Sequence, residues 1–240
     1  MSVFQFQQFS VIQQHAGMKI CTDSVLFGAM APVSQGIHVL DIGTGTGVLA
    51  LMLAQLGATT VTGVELTFEA YHEARLNFSN SSWSPRLEAV HQDIKKFALV
   101  AKRQYELIIC NPPFFENHSK SVNELRKTAR HTDRLAFGDL IAIVERLLSP
   151  QGLFYLLIAT HSVAKFNALA STAGLYLIHQ ADFRGYAHNE VKVSALTFSR
   201  KAAGFTRKLL TIYDAPGVYS QDSEQYLKVF LLRFANKNKY

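Results

Sequence analysis

Apolar positions along the chain follow two alternating patterns. Short runs of consecutive apolar residues, typical of strands buried on both faces of a sheet, are separated by segments whose apolar residues have helical spacing. The predicted strands are His38–Ile42, Thr60–Glu65, Leu87–His91, Glu106–Cys110, Leu153–Ile158, Tyr176–Ala181 and Val191–Phe198. The predicted helices are Val48–Leu56, Phe68–Asn77, Asp139–Leu148 and Val163–Ala173.

The alternation of strands and helices predicts the fold class. Right-handed connections between parallel strands place helices on both faces of a mostly parallel sheet, so we expect an α/β, Rossmann-like fold with a seven-stranded sheet. The last two runs are joined only by the short polar segment Asp182–Glu190. A connection this short favours antiparallel pairing, so the last strand should be antiparallel to its neighbour.

Length and composition predict a single domain over residues 1–240. With 48% hydrophobic and 18% charged residues, the chain has enough apolar side chains for a large core, which excludes a mainly disordered protein. Residues 1–36 precede the first predicted strand and form an N-terminal extension. Residues 200–240 follow the last predicted strand, form a C-terminal extension and contain a turn signal at Asp214–Gly217.

The charge is concentrated near the C-terminus. The chain carries a net charge of +6, and residues 200–240 contain eight Lys and Arg residues against three Asp and Glu residues. A basic section on a near-neutral body suggests a polyanionic partner such as nucleic acid. A solubilising tail would account for the charge equally well.

Several classes of protein are excluded by other features. The two cysteines, Cys21 and Cys110, form neither a disulfide framework nor a zinc site, so we expect no metal. The N-terminus lacks the pattern of a signal peptide, and the longest apolar run, Leu153–Ala159, is too short to cross a bilayer. We therefore expect a cytoplasmic protein without membrane association. We also expect a monomer.

A glycine-rich loop follows the first predicted strand of the sheet. The residues Gly43, Gly45 and Gly47 end this strand and open the first predicted helix of the sheet. Glycines permit a tight turn and close approach of a ligand to the positive end of the helix. Asp41 precedes the loop by two residues; it would repel a pyrophosphate and would suit a ligand bearing an amine. A tight strand-to-helix turn without a ligand would explain the glycines alone.

Two further acidic residues come at the ends of the next predicted strands. Glu65 ends the second strand, where a carboxylate can bind ribose hydroxyls, and Asp93 follows the third, with Ile94 beside it. With the glycine loop, this arrangement resembles the S-adenosylmethionine site of class I methyltransferases. The resemblance implies that Asp41 orients the loop and the methionine end, Glu65 the ribose and Asp93 the adenine, with Ile94 packing on the ring.

The most specific motif is Asn111-Pro112-Pro113-Phe114, directly after the fourth predicted strand. The Asn111 side-chain oxygen and the Pro112 carbonyl can accept both hydrogens of a planar NH₂ group and so direct its lone pair at a methyl sulfonium. Phe114 offers a face on which a planar group can stack. The motif resembles that of methyltransferases acting on adenine N6, cytosine N4, guanine N2 or glutamine amides. The reaction needs no strong base, so we expect His131 to be structural.

The segment upstream of the glycine loop narrows the resemblance. Met18-Lys19, Thr22-Asp23, Leu26 and Gly28 follow the M-K-x-x-T-D-x-x-L-x-G signature of the bacterial tRNA1(Val) adenine N6-methyltransferases. The similarity continues through the motifs above and Ala129-Arg130-His131, with Cys21 and Phe114 as mild departures. It implies that Lys19, Thr22 and Asp23, in the N-terminal extension, close over the cofactor. Capping of the following helix by Thr22 and Asp23 is an alternative.

A basic segment follows the reacting motif. Its cations could contact phosphates beside a flipped base or form a solvated helix face: Lys120, Arg126, Lys127, Arg130 and Arg134. Together, these features predict S-adenosylmethionine-dependent methylation of adenine N6 in tRNA, and the family resemblance alone implies adenine 37 of tRNA1(Val) as the target. The alternatives are glutamine-amide methylation of release factors, methylation of another RNA base, and an RNA-binding module without activity.

Overall fold

The structure is a computed structural model that describes residues 2–14, 19–112 and 135–238. Its main sheet has eight strands. They are β3 (His38–Ile42), β4 (Thr60–Glu65), β5 (Leu87–His91), β6 (Tyr105–Cys110), β7 (Leu148–Ala159), β8 (Tyr176–Arg184), β9 (Val193–Ser199) and β10 (Thr206–Thr211). Their order across the sheet is β10-β8-β9-β7-β6-β3-β4-β5. Strand β9 is antiparallel to both of its neighbours, and all other pairs are parallel.

The predicted fold class is confirmed, but the strand number is not. The expected antiparallel pairing of the last two predicted strands is present between β8 and β9. The eighth strand, β10, pairs in parallel with β8 at the edge of the sheet. The sequence did not reveal this strand because only Leu210 of its six residues is buried, and polar side chains occupy most of the others.

Helices cover both faces of the sheet, as expected. They are α1 (Thr22–Ala29), α2 (Val48–Gln55), α3 (Phe68–Ser79), α4 (Ile94–Val100), α5 (Phe137–Leu147), α6 (Val163–Thr172) and α7 (Gln221–Leu227). Alternate residues of each strand face opposite sides, so Leu107 and Ile109 enter one core cluster and Ile108 and Cys110 the other. The first cluster lies under α1, α2, α3 and α7, and the second under α4, α5 and α6.

Both terminal regions pack against the first face. The strands β1 (Val3–Gln5) and β2 (Ser10–Ile12) form a hairpin. The C-terminal section contacts this hairpin, since Gln7 Nε2 donates to the Leu231 carbonyl at 2.8 Å. Phe230 is completely buried in the same cluster. A second hairpin, β11 (Tyr213–Ala215) and β12 (Val218–Tyr219), contains the turn predicted at Asp214–Gly217. The single-domain division with two extensions stays a prediction. Within the described ranges, no helix is both long and apolar enough to cross a membrane.

Candidate active site

The glycine loop connects β3 to α2 at the carboxyl edge of the sheet. Gly43, Gly45 and Gly47 have φ values of +70°, +57° and +82°, a region that favours glycine. A Cβ atom at Gly43 or Gly45 would meet nothing within 4 Å, whereas one at Gly47 would lie 2.4 Å from Phe78 Cε1. The first two glycines therefore border open space that a ligand can enter, and Gly47 allows close packing against α3.

Asp41 lies in β3 below this loop and is completely buried. Its Oδ2 accepts a hydrogen bond from Thr44 Oγ1 at 2.7 Å, and its Oδ1 has no donor in hydrogen-bonding geometry within the described part of the chain. Burial raises the pKa of Asp41 to about 7; the Thr44 hydroxyl opposes this increase and the nearby Glu65 adds to it. The carboxylate thus stabilises the loop and retains one unused acceptor.

Glu65 joins the end of β4 to the glycine loop. Its Oε2 accepts from the Gly45 N–H at 3.0 Å, and its Oε1 accepts from the Thr67 N–H at 2.9 Å. Two exposed apolar residues, Leu66 and Phe68, follow it, with 52% and 58% of their surface accessible. The sequence interpretation did not single out these two residues, which place apolar surface directly beside the carboxylate.

Asp93 and Ile94 lie between β5 and α4. Asp93 is the N-cap of α4, and its Oδ1 accepts from the Lys95 N–H at 2.7 Å. Both residues are half-buried, and Ile94 packs against the second core cluster. Asp93 therefore has a structural role as a cap, and its second oxygen forms no hydrogen bond with the described residues.

Asn111 and Pro112 follow β6, next to the glycine loop. Cys110, the residue before them, pairs with Ile42 of β3, so Asn111 and Gly43 emerge from neighbouring strands at the same edge. The Asn111 Oδ1 is buried and has no hydrogen-bond partner among the described residues. A buried acceptor without a donor costs free energy, which marks this oxygen as a candidate ligand contact.

Some predicted site residues lie outside the described part of the chain. These are Pro113, Phe114, Lys120, Arg126, Lys127, Arg130, His131 and Arg134. Their roles stay predictions. Among the residues described, no group of three or more His, Cys, Asp or Glu side chains could hold a metal ion.

The predicted cofactor-covering residues lie at the start of α1. Lys19 is exposed, and Thr22 Oγ1 is hydrogen-bonded to the Tyr213 hydroxyl at 2.8 Å. The N-cap is Cys21, whose N–H donates to Ser24 Oγ at 3.3 Å, so neither Thr22 nor Asp23 caps the helix. The alternative that Thr22 and Asp23 cap this helix is therefore wrong, because Cys21 is the N-cap. Tyr213 could not be found from sequence because it is 191 positions away from Thr22.

Burial also affects Asp23 at this helix end. It raises the pKa of the Asp23 carboxyl, and the positive charge of Lys192 lowers it in part. Lys192 precedes the antiparallel strand β9, which begins at the same edge where its neighbours end. The start of α1 thus lies beside the loops that follow β8 and β10.

Part of the basic C-terminal section makes contacts within the fold. Arg207 forms an ion pair with Asp182 at 2.6 Å, and Arg200 donates to backbone carbonyls of Glu145 and Leu148. The Arg233 guanidinium lies over the Tyr219 ring. Of these three residues only Arg207 has an acidic partner, whereas Arg233 is exposed and keeps its charge over the ring, so the polyanion interpretation of the C-terminal section stays a prediction.

Comparison with known proteins identifies the family. Residues 15–177 match the model of the methyltransferase small domain. The chain is 39% identical to the tRNA1(Val) (adenine(37)-N6)-methyltransferase of Flavobacterium psychrophilum, over 96% of this chain and all of that protein. It is 37% identical to the protein of the same name from Pseudoalteromonas translucida, over 97% of this chain and all of the relative. The chain belongs to the tRNA1(Val) (adenine(37)-N6)-methyltransferase family.

Solved structures support the fold of this family member. A predicted O-methyltransferase from Agrobacterium tumefaciens matches with a TM-score of 0.62 at 19% identity, covering 82% of this chain and 91% of that one. The ribosomal protein L11 methylase of Lactobacillus delbrueckii matches with a TM-score of 0.52 at 17% identity, covering 75% and 79%. At these identities the comparison shows the class I methyltransferase architecture alone.

Proposed function

We propose that this protein transfers a methyl group from S-adenosylmethionine to the exocyclic N6 of an adenine in tRNA, with adenine 37 of tRNA1(Val) as its target. The relatives that are named for this activity are similar to this protein over almost its entire length. The observation that carries the chemistry is the buried, unpartnered Asn111 Oδ1 at the carboxyl edge of the sheet.

Asn111 would act by orienting the amino group. Its Oδ1 accepts one N6 hydrogen and the Pro112 carbonyl accepts the other, which draws the nitrogen lone pair out of conjugation with the ring. The cofactor, held by the residues around the glycine loop, would supply the methyl group to this oriented nitrogen, with its thioether as the leaving group, and the extra proton would leave to water. Because no base must act before the attack, orientation and charge placement account for the contribution of these residues. Pro113 and Phe114 would hold the turn and stack on the adenine.

The residues around the glycine loop fit S-adenosylmethionine. When bound, this cofactor supplies an electrophilic methyl sulfonium and a cationic amine. The open space beside Gly43 and Gly45 would accommodate its amino acid portion, with the Asp41 Oδ1 beneath them. Glu65 would accept from the ribose hydroxyls through the acceptor capacity that remains beside its bonds to Gly45 and Thr67.

The remaining contacts complete the proposed complex. Asp93 would accept from the adenine amine of the cofactor through its second oxygen, with Ile94 packing on the ring. Lys19 and Thr22 would cover the cofactor from the N-terminal side. The basic segment would contact tRNA phosphates, and Gly47 would serve the packing of the loop. We infer a monomer acting in the cytoplasm, where its tRNA substrate is located.

The test is methyl transfer to tRNA that lacks the modification. The full-length protein is incubated with labelled S-adenosylmethionine and tRNA, and the product is digested for nucleoside mass analysis. We expect N6-methyladenosine in a valine isoacceptor, lost when adenine 37 is replaced by guanine in the transcript. Labelled release factor with unlabelled tRNA would instead identify a glutamine-amide methyltransferase. Another methylated base would retain the proposed role of Asn111 and reject the substrate.

A further inference from the structure

A row of aromatic rings lies at the carboxyl edge of the sheet, beyond the strands that carry the candidate active site. In spatial order the rings belong to His188, Tyr186, Tyr213, Tyr219 and Phe234. Successive ring centroids are 5.6, 5.6, 5.0 and 5.8 Å apart, within the range of favourable aromatic pairs. These five residues are called the aromatic ladder.

The aromatic ladder is open to solvent over most of its length. His188 is exposed, the three tyrosines are half-buried and only Phe234 is buried. The His188 ring is parallel to that of Tyr186 within 4°, and no other ring among the described residues stacks on it. One end of the ladder therefore presents a flat surface on which a further planar group can stack.

Positive charge accompanies these rings. The exposed Arg233 has its guanidinium 4.8 Å from the centroid of the Tyr219 ring. The exposed Lys192 lies near Asp23 and lowers the pKa of its carboxyl, so this cation, unlike Arg233, faces an acidic group. Aromatic faces combined with cations are the recognition elements that proteins use for unpaired nucleotides, where bases stack and phosphates meet charge.

The position of the aromatic ladder relates it to the reaction site. Tyr186 follows the end of β8 by two residues, and Tyr213 follows the end of β10 by two, so both lie at the edge where Asn111 follows β6. Strands β7 and β9 separate β6 from β8, which corresponds to about 15 Å at the usual spacing between strands. The Tyr213 hydroxyl is also hydrogen-bonded to Thr22 Oγ1 at the start of α1.

We propose that the aromatic ladder is a stacking platform for unpaired RNA bases that flank the target adenine. This inference rests on the proposed function. An adenine must leave its stack to bring N6 to Asn111, and its neighbours then lose a stacking partner. Rings some 15 Å away along the same edge supply a replacement, because this distance matches a few nucleotides of single strand. The ladder would thereby hold the tRNA while the base is extruded.

The experiment compares ring substitutions in the full-length protein. Tyr186→Leu removes a ring from the ladder, Tyr186→Phe retains it, and His188→Ala removes the exposed end without disturbing the core. Tyr176→Leu is the matched control, since Tyr176 is 42% exposed at the opposite end of the same strand, β8. Binding of unmodified tRNA, methylation rate, S-adenosylmethionine affinity and thermal midpoint are measured for each variant.

We expect Tyr186→Leu and His188→Ala each to weaken tRNA binding by about tenfold, the effect of losing one stacked base. The KM for tRNA should rise in parallel, whereas Tyr186→Phe, Tyr176→Leu, cofactor affinity and the salt dependence of binding should remain as in the unaltered protein. If Tyr186→Leu destabilises the fold, His188→Ala decides the question.

Each outcome separates the two proposals. If the unaltered protein methylates tRNA and the ring variants bind it normally, the aromatic ladder is rejected and the proposed function stands. If the protein binds tRNA without methylating adenine, the proposed function is rejected, and the binding of the ring variants still tests the ladder. If only a protein substrate binds, and the ring variants weaken that binding, both are rejected and the ladder is a protein-docking surface.

Discussion

Two carboxylates buried in the same sheet have opposite environments. Asp182 of β8 is 3% exposed, and both of its oxygens are hydrogen-bonded. Its Oδ1 accepts from Gln180 Nε2 at 2.8 Å and from Ser194 Oγ at 2.6 Å, and its Oδ2 accepts from Arg207 Nε at 2.7 Å. The charge of Asp182 is thus matched by neighbours on β8, β9 and β10, and it stabilises the pairing of these strands.

Asp41 of β3 has no such set of partners. It is completely buried and accepts from Thr44; the Ala50 N–H also lowers the pKa of its carboxyl, but no donor among the described residues forms a hydrogen bond of normal geometry with its Oδ1. Proteins rarely retain a buried charge without partners, because desolvation is unfavourable. We infer from the comparison that the satisfied carboxylate serves the fold, and we propose that Asp41, beside the open glycines, serves a ligand.

The pH dependence of stability provides the strongest test of this distinction. The pKa of Asp41 is raised from 3.8 to about 7 by burial, so the folded state binds the proton more tightly than the unfolded state. Its contribution to stability is complete below pH 4 and is lost as the pH rises toward 7. Relative to Asp41→Asn, the unaltered protein should lose up to about 4 kcal/mol of unfolding free energy over this range.

Urea denaturation without cofactor between pH 4.5 and 8 measures this difference. Asparagine retains an acceptor for the Thr44 hydroxyl but has no charge to bury, so the Asp41→Asn curve should lack the decline. Parallel curves for the two proteins would show that the Asp41 carboxylate is accommodated as well as that of Asp182, and the comparison would fail.

Asn111 tests the same reasoning with a neutral side chain. Asn111→Ala removes an acceptor that no described donor satisfies, so the fold should lose little stability. Methyl transfer should fall by about 10²–10³-fold, the usual effect of losing one oriented polar contact in a transition state. The rate is measured at saturating tRNA, with cofactor affinity by calorimetry as the control.

Asn111→Asp retains acceptor oxygens at the same position and should recover part of the rate. An Asn111→Ala enzyme with full activity would exclude the proposed orientation of the amino group. A large drop in thermal midpoint would instead assign Asn111 to the fold, as for Asn77, whose Oδ1 accepts from the Ile12 N–H and whose Nδ2 donates to the Thr46 carbonyl.

The strands β3 and β4 lie inside the sheet, are buried on both faces and were predictable from sequence. Their bounds agree with the predicted runs, as do those of the edge strand β5, whose apolar residues are only partly buried. The helices α2, α3 and α6 begin at the predicted residues. Continuous apolar runs specify such strands without help from distant parts of the chain. The edge strand β10 has polar residues at four of its six positions, so its sequence pattern resembles that of a polar loop.

The candidate site was predictable where its residues follow strands directly. The glycine loop, Glu65 and Asn111 meet because the ends of parallel strands share one edge. Contacts that depend on the folding of distant segments were not predictable. Two such contacts are the hydrogen bond between Thr22 and Tyr213 and the packing of Gly47 against Phe78. The same reason explains why the C-terminal basic residues were interpreted as free cations although Arg207 is paired with Asp182.

The smallest expected effect is that of removing the satisfied carboxylate. Asp182→Ala takes the acceptor from Gln180 and Arg207, but the Arg207 side chain is 60% exposed and water can replace its contacts. We therefore expect a loss of about 2 kcal/mol in unfolding free energy, measured by urea denaturation, with unchanged cofactor affinity. Asp222→Ala, which breaks the exposed ion pair with Lys208 at 3.8 Å, is the matched control and should change stability by less than about 1 kcal/mol. Weakened cofactor binding in Asp182→Ala would mean that a fully paired carboxylate, three strands from Asn111, also serves the site, and pairing could no longer distinguish the two roles.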